Sequence, residues 1–356
     1  MALREGEGGA VSESRDNKLG RTHLRRRLSR YVHNASLMVG TIILGLYAAV
    51  GLAVTLYYRG GLTYMSPDYR VLYGYTLPVS PTLTLSPFSI GQSMLGQTGG
   101  FGFSVAEGLL KGTPWDLVLF AGILVPSAVI GLLVGVAAGG LGGVVDEILM
   151  TVTDVIISIP AFLVALLVYV AILPTLPVVN VTGETYGSFP AHPLAPFVFA
   201  ICMILICWAP YARLVRSRAK NIAAQPFVEA AAAGGASKTR MLLRHILPNS
   251  VSPVFSQVPI TLSNIIVIMI ILSYMGLLTS FGYTKIVVSF MPSNVFPEWT
   301  WMLVNGMLGW SVIDGTNAWW GYVFPFLWIL VFGLAVLLFC DGLEEFLSPQ
   351  SGSTTH

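Results

Sequence analysis

The sequence predicts an all-α, polytopic membrane protein of about six transmembrane helices, and three observations carry that reading. Hydrophobic residues make up 54% of the 356-residue chain and charged residues 10%, at a mean hydropathy of +0.74. Soluble domains carry about 25% charged residues, so the balance points to a bilayer rather than to a water-soluble core. Six apolar runs have the length a bilayer demands, roughly 20 residues for about 30 Å of hydrocarbon. Finally, Lys and Arg cluster in two places that six spans would put on one side.

The chain opens on a polar tail, residues 1–36, holding Arg4, Arg15, Lys18, Arg21, Arg25, Arg26, Arg27 and Arg30. That many polar residues before an apolar run argue against a cleavable signal peptide. Leu24, Leu28, Tyr31 and Val32 fall at helical spacing among the arginines. They suit an amphipathic helix on the inner membrane face, or a segment whose charges only set topology. A nucleic-acid patch is excluded, because the run abuts a span.

The apolar runs are 37–58, 115–138, 148–173, 195–212, 258–278 and 322–340. Helices are expected for all six, since a helix satisfies its own backbone in lipid. Between the fourth and fifth runs lie Arg213, Arg216, Arg218, Lys220, Lys238, Arg240 and Arg244, whereas Arg59, Arg70, Lys111 and Lys285 fall on the other side. The positive-inside rule therefore places both termini in the cytosol of a multi-pass protein of the cell membrane. Four regions follow: tail 1–36; first helix and long external loop 37–114; a core of five helices 115–345 containing the loop 213–248; and a cytosolic tail 346–356. External segments are expected at 59–114, 174–194 and 282–321. The last holds Phe290, Phe296, Trp299, Trp301, Trp310, Trp319 and Trp320, read as an aromatic belt or as the lining of an outer vestibule.

The loop carries the most specific pattern. The fourth helix continues past the membrane, with Arg213, Arg216 and Lys220 on one face. Pro226 suits a first helical turn, where its missing N–H costs nothing, and Glu229 in that turn suits the helix dipole. A short alanine-rich helix is expected from Pro226 to Ala233, ended at Gly234 and Gly235. Ser237 caps the next helix, over 238–247, which Pro248 disrupts. The small residues Ala230, Ala231, Gly235 and Ala236, flanked by Phe227, Lys238, His245 and Leu247, would let a partner's backbone approach closely. A solvated connector would not need an Ala–Gly surface bracketed by such stops.

Glu229-Ala230-Ala231, then Gly235, then His245-Ile246-Leu247-Pro248-Asn249, resembles the EAA loop of ABC importer permeases, and RHILPN is similar to the peptide/nickel branch, the oligopeptide and dipeptide C-type permeases. The likeness extends along the chain. SPFSIGQSMLGQ at 86–97 stands where that branch has an HPLGTDxLGRD segment, with the charged residues missing. VVDEILMTVTDVIISIPAFL at 144–163 is similar to its third-span entry, with Asp146, Glu147, Asp154 and Pro160, and FCDGLEEFLSPQ at 339–350 resembles its GDGLRDxLDPR tail.

The resemblance implies the type I ABC importer permease fold and a heteromeric importer. This chain would pair with a second, homologous permease, on two ATP-binding subunits that hold ATP and Mg, with an external solute-binding protein delivering substrate. It would bind no cofactor and no metal itself, and catalyse nothing. The helix around Glu229–Gly235 would be the coupling helix. Peptide is the implied substrate, with oligosaccharide or nickel as alternatives.

Other chemistry finds little support. GGASKT at 234–239 has Ser237 where a phosphate loop needs glycine before its lysine, and no strand precedes it. The histidines, His23, His33, His192, His245 and His356, are scattered. Cys202, Cys207 and Cys340 lie in apolar runs at no ligand spacing and read as buried thiols. Asp146 and Glu147 sit at the inner mouth of the third run, with an interfacial role expected. Asp154 lies two turns deeper and is expected to be buried against a polar partner, with substrate contact as the alternative; Ser158 and a helix-bending Pro160 follow it on a candidate translocation path. Asn180-Val181-Thr182 is a glycosylation acceptor pattern. An autonomous secondary transporter would show a repeated half-structure, broken helices at the midplane and deep ionisable groups, and none of these is evident in the sequence.

Overall fold

The computed structural model describes residues 34–58, 105–171, 195–274, 298–308 and 319–347, and every regular element among them is helical. In order these are α1 (Ala35–Tyr58), α2 (Val105–Leu141), α3 (Gly143–Ser158), α4 (Ala161–Ala171), α5 (Ala195–Ala223), α6 (Pro226–Ala233), α7 (Lys238–Met241), a π-helical turn (Leu242–Ile246), α8 (Leu247–Asn249), α9 (Ser252–Tyr274), α10 (Trp299–Leu308) and α11 (Trp320–Leu347). Five helices are long and apolar enough to cross a bilayer, and the bent pair α3–α4 makes a sixth if it counts as one span. The amphipathic stretch before residue 34, the segment 86–97, Asn180, Phe290, Phe296 and Trp310 lie outside the described residues.

Helix α2 starts at Val105, ten residues before the apolar run that announces it and inside the stretch expected to be external loop. Glu107 lies in its first turn and pairs with Lys111 at 2.7 Å, an (i, i+4) pair that extends the helix beyond its apolar length. The helix ends against a joint of two glycines, Gly142 (φ 64) and Gly143 (φ 57). Both occupy the left-handed region that side chains resist, so α3 can begin directly after α2 at a new angle.

The run 148–173 is not one straight helix. It breaks between Ser158 and Ala161, where α3 and α4 meet at 71°. Pro160 supplies the cause: it has no N–H to donate and pushes the residue before it out of helical geometry. Ile159 is accordingly extended, at φ −88° and ψ 121°.

The tightest helix pair is α2 with α5. Gly131, Gly135 and Gly139 recur every four residues, and a Cβ added to each would come within 2.6 Å of the backbone carbonyl oxygens of Trp208, Ala212 and Arg216 respectively. Both series advance together, so the helices run parallel, backbone against backbone. Helix α1 runs the other way beside α11: Asn34 caps α1 by accepting the Leu37 N–H at 3.0 Å, and its amide donates to Glu345 at 2.8 Å. The start of α1 and the ends of α2, α5 and α11 thus share the end of the bundle that carries the basic segment.

The opposite end is closed by α10, a helix within the stretch read as an external loop. Its exposed N–H groups are met by two buried carboxylates. Asp116 accepts from Trp299 at 3.0 Å, and Glu298 accepts from Thr300 at 2.7 Å and Trp301 at 2.8 Å. Trp299, fully buried, packs edge-on against Tyr47 (5.7 Å) and Phe332 (5.3 Å), and the Tyr47 hydroxyl donates to the Trp328 carbonyl at 2.7 Å. Trp299 and Trp301 are therefore core residues and not a headgroup belt or a vestibule lining; Trp319 is exposed.

Replacing Gly135 by Leu must push α2 and α5 apart at a backbone contact, and overpacking of this kind costs about 1–3 kcal/mol or more. A lower Tm of the detergent-purified protein is expected for Gly135→Leu. Gly45, which has open space around its Cα, serves as the control: Gly45→Ala should hold or raise Tm, because Ala is the better helix former.

Candidate functional site

The site is built by the segment that joins α5 to α9. α5 runs on to Ala223, and the chain turns through Ala224 and Gln225 into α6, with Pro226 at its first position and the Gln225 carbonyl accepting the Val228 N–H at 2.9 Å. The helix has the bounds expected from its prolyl start and glycine end. At its end the Ala236 N–H reaches the Ala231 carbonyl at 3.1 Å and the Gly235 N–H the Ala232 carbonyl at 3.0 Å, with Gly235 at φ +82°. This paired closure requires a left-handed residue after the cap, which is why glycine stands there. Ser237 follows and accepts the Arg240 N–H on its hydroxyl at 3.3 Å, capping α7.

The expected regular helix over 238–247 is replaced by α7, a π-helical turn and α8. The Leu247 N–H reaches back five residues to the Leu242 carbonyl. Widening the backbone immediately before Pro248 relieves the clash between a prolyl ring and the carbonyl four residues earlier, so Pro248 is carried inside α8 rather than ending the helix. Asn249 donates to the His245 carbonyl at 2.7 Å, and Ser250 to the Ile246 carbonyl at 2.8 Å.

One side chain pins α6. Val228 is buried in a cluster with Tyr211, Val215, Ala219, Ile222 and Ile246, so the short helix is fixed to the end of α5. Its other face is open. Phe227, Glu229, Ala230, Ala232, Ala233, Gly234 and Gly235 are exposed, as are Ser237, Lys238 and Pro248, while Ala231, Ala236, His245 and Leu247 are half-buried. The Phe227 and His245 rings face each other at 6.4 Å. The surface is small-residued, held rigidly, and nearly free of charge except at Glu229 and Lys238. It offers shape for a docking partner and no reactive group.

A second cluster lies where α3 crosses the end of α5. Asp146 is bridged by Arg216, whose Nη2 lies 2.8 Å from Oδ2, and by Lys220 at 2.6 Å. Asp154 is paired with Arg213. The expectation of a buried Asp154 is corrected: its side chain is 59% exposed, and it is Asp146, expected at an interface, that is buried. Asp154 does meet a polar partner, Arg213, but on a face of α3 that the rest of the chain leaves open. Ser158 is exposed, its hydroxyl donating to the Val155 carbonyl at 2.7 Å, and Pro160 makes the bend. Asp154, Ser158 and Pro160 thus share one exposed stretch of α3 and the bend.

The pairing of these charges was not foreseen, although the spacing encodes it. Asp146 and Asp154 stand eight residues apart and Arg213, Arg216 and Lys220 at i, i+3 and i+7, each set along one helix face. Val228 was also passed over, as one apolar residue in a run of small ones.

The family model described as "Binding-protein-dependent transport system inner membrane component" matches residues 131–350, which includes both clusters. Among curated proteins, the chain is 30% identical over 236 residues to the probable D,D-dipeptide transport system permease of Escherichia coli (strain K12), covering 66% of each. It is 28% identical over 232 residues to the oligopeptide transport system permease of Bacillus subtilis (strain 168), covering 64% of this chain and 63% of that one. To the dipeptide transport system permease of the same organism it is 27% identical over 236 residues, covering 65% and 62%. The chain therefore spans a little under two thirds of the length of these relatives.

Ser237→Ala removes a side-chain cap, a change that costs about 1 kcal/mol. Faster amide hydrogen exchange is expected at Arg240, several-fold and confined to α7, with Val228 unaffected because its anchor is independent of the cap.

Proposed function

Because this chain belongs to the family of binding-protein-dependent transport system inner membrane components, we propose that it is the membrane-spanning permease subunit of an ATP-driven importer of peptides. The observation that carries the mechanism is α6: an exposed Ala–Gly helix, locked at both ends by its own backbone and pinned by Val228, at the end of the bundle that carries the basic segment. That end is the cytosolic one by its Lys and Arg content, and both termini lie there. Helix α6 is then the coupling helix, seated in a groove of an ATP-binding subunit.

The subunit works as half of a pair. A second, homologous permease completes the pathway, two ATP-binding subunits hold ATP and Mg, and an external solute-binding protein delivers the substrate. This reading gives the open apolar faces an occupant: within each long apolar helix only 22% to 44% of the most hydrophobic window is buried inside the chain, leaving the rest to lipid and a partner subunit. The transport cycle is a two-state change, biased by nucleotide on one side and by loaded binding protein on the other. Rigid attachment of α6 is what such a cycle requires, because a floppy helix would absorb the partner's movement. Peptide as substrate rests on the names of the relatives, which are D,D-dipeptide, oligopeptide and dipeptide permeases.

The test is the double variant Glu229→Lys with Gly235→Pro, in a reconstituted complex. Proline at Gly235 cannot adopt φ +82°, and lysine reverses the one acidic charge on the docking face. Peptide uptake is expected to be lost while the chain remains in the membrane. Undiminished ATP-driven uptake by the double variant contradicts the docking role.

A further inference from the structure

The connection between α2 and α3 leaves α3 weakly held. It consists of Gly142 and Gly143, both at positive φ, and the buried residues of α3 are only Asp146, Met150 and Thr153. An apolar helix of 16 residues with three buried positions is only lightly packed. Val144, Ile148, Val152 and Val155 all face outward. The polar contacts of α3 are different in kind: the buried Asp146 takes both Arg216, through two nitrogens, and Lys220, and Asp154 takes Arg213 two turns further on.

A guanidinium that meets a carboxylate through two nitrogens fixes direction as well as distance. Together, the two-nitrogen attachment at Asp146 and the single Arg213 contact at Asp154, eight residues further along α3, fix the angle of the helix about its glycine joint. Neither would do so alone. On the other side, the three cations stand on the last turns of α5, which are pinned through Val215, Ala219 and Ile222 to Val228 of α6. Beyond Asp154, α3 leads within a few residues to the 71° bend at Ile159 and Pro160.

We propose that Asp146, Asp154, Arg213, Arg216 and Lys220 form a strut that makes α3 and the end of α5 move as one body, carrying displacement of α6 to the bend at Pro160. These are positioning residues, acting through the two helices they join. The inference rests on the reading of α6 as the coupling helix, and goes beyond it by naming the route from that helix into the membrane.

The test uses the complete complex in proteoliposomes, the chain with its second permease, ATP-binding subunits and binding protein, and reads peptide taken up per ATP hydrolysed. Asp154 and Arg213 are exposed, so reversing either charge leaves the fold intact. Asp154→Arg and Arg213→Asp are each expected to lower the ratio roughly fivefold or more, the scale of an ordinary coupling energy, and the two together to restore it. Asp146→Asn, which keeps shape and removes charge, should lower it similarly. Single reversals and Asp146→Asn that transport at the wild-type ratio overturn the strut, as does a double reversal that recovers nothing. Wild-type uptake that needs no ATP overturns the importer reading itself, and is distinguishable because it appears before any variant is made.

Discussion

Everything at the basic end of this protein depends on how closely α2 and α5 approach. Gly131, Gly135 and Gly139 bring one backbone against the carbonyls of Trp208, Ala212 and Arg216, and because lipid offers no hydrophobic drive between helices, close van der Waals contact of this kind is what holds a pair together in a bilayer. The seam makes the two helices parallel. It therefore delivers the cationic last turns of α5 to the place where α2 ends and α3 begins, and sets Arg216 and Lys220 beside Asp146. A larger residue at any of the three would force the two backbones apart at this seam.

The bundle is closed differently at its two ends. At the far end, buried carboxylates satisfy the start of α10, and the ring of Trp299 fills the space among Tyr47, Phe120 and Phe332. A polar contact network of that sort is costly to disturb, since a buried acceptor left alone loses its compensation for desolvation. At the basic end the ionic contacts lie nearer to water, and α3 hangs from two glycines.

Much of this was legible in the sequence because bilayer constraints are severe. Apolar length placed the spans, and Pro226, Gly235 and Ser237 marked the start, end and restart of two short helices, because each residue type has a geometric reason to stand there. Pro160 likewise announced the bend. What was not legible depends on partners distant in sequence. Trp299 reads as an interfacial aromatic until Tyr47 and Phe332 are known to surround it, and the helix that begins there was hidden in a stretch without a long apolar run, although Glu298 at its start is a recognisable cap. Depth along a span does not fix burial, and Asp154, two turns into the third run, pairs with Arg213 on an open face of α3. The glycine seam was written at four-residue spacing in α2, but its partner could not be named from one chain read linearly.

Seating of α6 in an ATP-binding subunit would bring the two chains within cross-linking distance. A single cysteine at the exposed position Ala232 in the assembled complex, treated in native membranes with a short bifunctional thiol reagent after cysteines are introduced along the candidate groove of the ATP-binding subunit, should give one cross-linked species joining the two chains. Its yield should change when ATP is added. A cysteine at Gly45, in open space on α1, should give none. Cross-linking at Ala232 that never captures the ATP-binding subunit, with or without nucleotide, would contradict the account.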